Sequence, residues 1–183
     1  MMRAFQNLRG RFCANARGVS AVEFALILPI LILLFLGCVE FSQAISVDRK
    51  LTSAASAVGD LVAQSDELSN GEVNDFIGAA SAILAPFRTD DFSIVVSSVL
   101  ITEDGAEVDW SVGSNTACHA PGTAITVPPG VAQAGDSVIV THAEYAYRPI
   151  FGQIISETIG LSETFYFRPR TVNKVDGPTQ CEA

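Results

Sequence analysis

Glu23 is an acid set inside an apolar run. Between Val19 and Phe41 the only charges are Glu23 and Glu40, and from Phe24 to Val39 there is none. A carboxylate this close to hydrocarbon costs several kcal/mol unless something compensates it. The chemistry open to it is an ion pair: a unit positive charge about 4 Å away would attract it by up to about 4 kcal/mol at an effective dielectric near 20. A plainer role is open too, because an acid in the first turn of a helix gains about 0.3–1 kcal/mol from the macrodipole. The remaining reactive side chains are scattered. His119 and His142 are the only histidines, and no motif links them. Cys118-His119 has no second pair at zinc-like spacing, so no metal is expected. Glu103, Asp104, Glu107 and Asp109 crowd one segment and could attract calcium, but a solvated hairpin is the simpler reading. No P-loop, G-x-S-x-G or H-E-x-x-H occurs; the expectation is a protein without cofactor and not an enzyme.

The elements that must hold these residues follow from two changes of period. The run from Val19 to Phe41 is long enough to cross a bilayer, which needs roughly 20 helical residues, and Pro29 is tolerated there. Helical spacing continues beyond it, with Leu51, Ala54, Ala55, Val58, Leu61 and Val62 on one stripe and Ser53, Ser56, Gly59, Asp60 and Gln64 opposite. One helix is therefore predicted from about residue 20 to 63. A second is predicted from Glu72 to Leu84, ended by Pro86. After Pro86 the period becomes two. Strands are predicted at 92–101, 106–112, 136–147 and 158–167, with Asp104-Gly105 turning the first hairpin and Ala106, Val108, Trp110 and Val112 on one face of its second strand. Residues 113–135 read as a long surface loop, 150–156 as a short helical turn, and the stretch after Arg168-Pro169-Arg170 as a polar tail. The predicted class is α+β, a long N-terminal helix packed on a roughly four-stranded antiparallel sheet.

Charge orients the chain. Arg3, Arg9, Arg11 and Arg17 precede the span with no acid among them, whereas 18 acidic and 7 basic residues follow from Phe41 onward. The positive-inside rule predicts a cytoplasmic N-terminus and an acidic domain outside. The expected division is a basic leader at 1–18, a transmembrane helix at 19–47 and an extracytoplasmic domain at 48–183. An acidic domain argues against nucleic acid as partner. Of the four cysteines, only Cys118 and Cys181 lie in the exported part. An oxidising compartment would let them pair, closing a long loop for about 2–4 kcal/mol. The alternative is two unpaired thiols, one in a loop and one in a tail.

The junction Arg17-Gly18-Val19-Ser20-Ala21-Val22-Glu23-Phe24 resembles the processing site of type IV prepilins: a basic leader, a glycine, then a glutamate that becomes the fifth residue of the mature chain. The longer segment Arg17–Glu40, with Gly18, Val22-Glu23-Phe24-Ala25, Pro29, Gly37 and Glu40, resembles the TadE-like family. The run Tyr145–Phe151 and the aromatic strand ending in Arg168-Pro169-Arg170 are similar to the C-terminal end of TadE-like and TadG-like proteins. The resemblance implies a pilin-like minor pseudopilin of a tight-adherence type IV pilus. It would be cleaved between Gly18 and Val19 by a prepilin peptidase, with Glu23 and Phe24 serving assembly and the freed amine of a neighbouring subunit pairing with Glu23. It further implies other pilins and pseudopilins and an inner-membrane assembly platform as partners, and residence in a bacterial inner membrane with incorporation into an extracellular pilus. The rival expectation is an uncleaved, membrane-anchored periplasmic scaffold or binding protein.

Overall fold

The computed structural model describes residues 17–152 and 157–178. Its first element, α1 (Arg17–Gln64), is a single helix of 48 residues, about 70 Å long at 1.5 Å per residue. Its two halves meet different surroundings. From Val19 to Phe35 every large apolar side chain is exposed, Val19, Phe24, Leu26, Ile30 and Phe35 among them, as in a helix that is apolar all round and suited to lipid. From Glu40 onward one stripe is buried: Glu40, Val47, Leu51, Ala54, Ala55, Val58, Val62 and Ala63. By length and composition this helix can cross a membrane.

The helix α2 (Asn70–Leu84) packs beside α1. Ser69 starts it with a reciprocal cap: its hydroxyl accepts from the Glu72 amide at 3.3 Å, and its own amide donates to the Glu72 carboxylate at 2.9 Å. That bond, first to the Ser69 backbone and then to its side chain, holds the Glu72 carboxyl below its ordinary pKa. Lys50 on α1 donates to the Ile83 and Ala85 carbonyls, so a cation closes the C-terminal end of α2. A short 3-10 turn at Thr89–Asp91 leads into the sheet.

The sheet has four antiparallel strands: β1 (Phe92–Ile101), β2 (Ala106–Ser114), β3 (Ser137–Tyr147) and β4 (Ile159–Phe167), in the order β2-β1-β3-β4. The two helices cover one face. Ile94, Val96, Trp110, Val112, Ile139, Ala143 and Tyr145 join the helical stripe in the main core. The opposite face has a smaller core of Val99, Ala106, Val108, Val138 and Val140 under Ile125, Val127 and Val131 of the long loop. The fold is thus the α+β arrangement expected, with strands and helices within a few residues of their predicted bounds.

Five details depart from the sequence reading. Val108 and Ala106 do not share a face with Trp110. The pairing passes from Ser98↔Trp110 to Val99↔Val108, so Asp109 is an extra residue that flips the strand's later side chains to the other face. Leu61 is 39% exposed, because the helix leans its other edge toward the sheet. Gly59 marks that edge: it is buried, and a Cβ there would lie 2.5 Å from the Phe167 ring and 2.7 Å from the Thr141 hydroxyl. Finally, residues 171–178 are no free tail. Val175 is fully buried, Trp110 donates its indole N–H to the Val175 carbonyl at 2.9 Å, and Asp176 bonds Leu68 and Asp66 through the backbone. The predicted helical turn at 150–156 lies partly outside the described residues; 150–152 are not helical.

The Gly59 contact gives a direct test. Gly59→Val should lower the unfolding free energy by about 1–3 kcal/mol, as overpacking at a closed contact does, and adding Phe167→Ala should restore part of the loss. Denaturant titration in detergent would measure both; a Gly59→Val chain as stable as the parent would contradict the close approach.

Candidate functional site

The residues singled out at the N-terminus lie on the first turns of α1. Gly18, Val19, Glu23 and Phe24 are all exposed, and they share one uninterrupted helix with the apolar half. Gly18 has open space around its Cα: an added Cβ would meet nothing within 4 Å. Neither packing nor a left-handed backbone demands glycine there, although glycine costs a helix roughly 1 kcal/mol relative to alanine. At 100° per residue, Glu23 is in line with Ile30, Leu34, Gly37 and Phe41, which together with Leu33 and Cys38 line a shallow apolar groove along the helix. Cys38 is a free thiol on this face. The structure therefore places Glu23 at the head of an apolar stripe that the described residues leave open.

The second carboxylate of the span behaves oppositely. Glu40 lies about 100° around the helix from Glu23, at the start of the stripe that faces the domain, and it is 1% exposed. One carboxylate oxygen, Oε1, accepts hydrogen bonds from the backbone amides of Phe151 at 3.1 Å and Gly152 at 2.8 Å. Gly152 takes a left-handed backbone, φ 59°, to present its amide. The Tyr147 hydroxyl donates to the Glu40 carbonyl at 3.3 Å. The other oxygen, Oε2, is buried with no hydrogen-bond partner among the described residues. Burial first, and the nearby Glu40 charge second, push the Tyr147 phenol above its ordinary pKa. Two segments marked separately in the sequence, Gly37–Glu40 and Tyr145–Phe151, are thus one contact, 111 residues apart along the chain. The signal available in the sequence was phase: Glu40 continues the stripe of Ala44, Val47, Leu51 and Ala54 at steps of three and four.

The other candidates separate. His142 bonds Thr164 at 2.8 Å and Glu144 at 3.1 Å on the sheet, far in sequence from His119 in the long loop. Asp109, pushed out at its bulge, pairs with Lys174 at 2.9 Å and so does not gather with Glu103 and Asp104. Among the described residues no three of histidine, cysteine, aspartate and glutamate stand close enough to share a metal ion. Cys118 is disulfide-bonded; Cys181, its expected partner, lies outside the described residues.

A helix apolar in its first half, long enough to cross a membrane, and packed through its second half on a four-stranded sheet is the arrangement of a membrane-anchored α+β protein. Residues 18–60, beginning at Gly18 and covering most of α1, match the family model described as TadE-like protein. That family is tied to the Tad pilus system as a structural component and is not a known enzyme family. No curated protein and no solved structure matches the chain.

Two outcomes follow from the Glu40 contact. Glu40→Ala removes the acceptor of two part-buried amides, whose bonds to a charged group contribute about 1.5–3 kcal/mol each at most. Hydrogen exchange should show the Phe151 and Gly152 amides losing protection in that variant while β1 amides keep theirs, and Glu40→Gln should lose less. The phenols of Tyr145 and Tyr147 are raised chiefly by burial, and the Lys174 amine chiefly by its bond to Asp109. All three hold their protons longer when folded than when unfolded, so the stability they confer is complete below their unfolded pKa values, about 10–10.5, and is lost as pH rises through the folded ones. Melting temperature should hold to about pH 9 and fall above about 10, and Tyr147→Phe should make that fall shallower.

Proposed function

We propose that this chain is a minor pseudopilin needed for assembly of a tight-adherence type IV pilus. In this reading a prepilin peptidase cleaves between Gly18 and Val19 on the cytoplasmic side, leaving α1 in the inner membrane and the acidic domain in the periplasm. The span, expected at 19–47, carries no packing from the domain until near Glu40, so its first half is free to bundle with other pilin helices. Glu23 heads the open stripe, where the new amine of a neighbouring subunit could neutralise it for up to about 4 kcal/mol at an effective dielectric near 20. Phe24 adds an exposed aromatic surface beside it. Cys118 and Cys181 are proposed to pair and tie the long loop to the C-terminal region. Other pilins and an inner-membrane assembly platform would be the partners.

The observation that carries this reading is the coincidence at Gly18. The family match starts at that residue, the fold makes no demand for glycine there, and a glutamate follows five places on. A glycine that costs helix stability without a local return points to a requirement outside the folded chain, such as a peptidase's subsite.

The test is the N-terminal mass of the protein from membranes of cells with and without the prepilin peptidase. A chain beginning at Val19 only when the peptidase is present is the expected result. An intact leader in both strains would leave an uncleaved anchored scaffold instead. Glu23→Ala should abolish pilus assembly while membrane insertion persists; normal piliation of that variant would remove the role given to Glu23.

A further inference from the structure

The large apolar side chains that stay exposed beyond residue 35 are not evenly spread. Among the described residues they are Phe41, Ile45, Leu61, Ile150 and Phe151, and all but Leu61 belong to the end of the domain where α1 leaves the apolar half. Ile150 is 67% exposed, Phe151 44% and Phe41 63%. We infer that the Ile150–Phe151 loop, together with Phe41, is a membrane-surface anchor that seats the domain in the outer leaflet of the lipid bilayer beside its own span. The inference rests on the membrane-spanning reading of α1 given above.

Its height is fixed by hydrogen bonds. Glu40 Oε1 holds the Phe151 and Gly152 amides, and side chains of a helix tilt toward its N-terminus. The loop is therefore tied at or below the level of Glu40, on the side of the span, and Val39, about 1.5 Å lower along the axis, is part of the uncharged run. A loop at that depth meets a specific penalty, since backbone amides in hydrocarbon cost several kcal/mol when unpaired. Here two of them are taken up by a carboxylate that is itself removed from lipid by burial. The surroundings fit an interface too. Tyr147 lies behind the loop with its hydroxyl bonded, and a groove beside it is lined by Phe87, Arg88, Tyr147, Arg148 and Ile150, mixing apolar surface with two cations. Both arginines are exposed and paired with neighbouring acids, Arg88 with Asp90 at 3.0 Å and Arg148 with Asp91 at 3.1 Å, so the apolar loop and not net charge is the anchoring element.

The experiment uses the full chain, one copy per lipid nanodisc, with phospholipids brominated high on the acyl chain as the probe. The chain's single tryptophan, Trp110, is 2% exposed in the domain core and serves as an internal reference. Phe151→Trp and, as a second probe at a more exposed site, Ile150→Trp report on the loop, and Leu33→Trp reports on the span. Added tryptophans at 151 and 150 should lose roughly half their emission in brominated lipid, as expected for rings about 5–10 Å into the interface, while Trp110 loses little. If the Leu33→Trp probe is quenched and both loop probes are not, the anchor is overturned and the span survives. Blue-shifted but unquenched loop probes would mean a protein surface covers the loop, which also overturns it. An unquenched Leu33→Trp probe would overturn the membrane-spanning reading and the anchor together.

Discussion

The carboxylate of Glu40 is buried where the open apolar half of α1 gives way to the packed half, and it ties the two regions together. Before it the helix runs open and without charge for sixteen residues, Phe24 to Val39; after it the same helix is the spine of a packed core. Two amide bonds to Glu40 and one tyrosine bond to its carbonyl fix the far end of β3 to the point of exit. Hydrogen bonds to a charged group contribute about 1.5–3 kcal/mol each, enough to set an orientation that packing alone would leave soft.

From that point the two carboxylates divide the labour of the helix. Glu40 looks into its own domain, and Glu23 looks out along an open apolar stripe about a quarter turn away. One acid has its Oε1 bonded within the chain, the other stands exposed. The same distinction separates the glycines. Gly59 is small because Phe167 and Thr141 of the sheet press against it; Gly18 is small with nothing near it, which is why its reason is sought outside the fold.

Much of this was legible in residue types and spacing. The long helix, the second helix and all four strands follow from a period of 3.6 giving way to a period of two, and the bounds of β1 and β3 agree to within a residue. What spacing could not carry were contacts between distant segments. Glu40 and the loop at 150–152 are each readable, but their union depends on where β3 ends in space. Gly59 sat among serines and an aspartate and looked solvated, since a small residue leaves no apolar mark of the surface it admits. The bulge at Asp109 moves Ala106 and Val108 to the second core through one added residue, a change that alternating hydrophobicity conceals. The stretch at 171–178 was hidden by its polar composition, in which Val175 is the residue that matters.

That last stretch bears on the order in which the domain can be completed. Trp110 is sealed by a carbonyl 65 residues further along the chain, and Gly177 is pressed so closely on the indole that a Cβ there would overlap it. In a chain made from its N-terminus, β1 and β2 are available well before Val175. Until that segment is in place, the central tryptophan has no lid and the turn after α1 lacks its bridge to Asp176. The domain therefore completes its core only when nearly all of its sequence is available, which leaves the earlier segments pliable until the last one locks them.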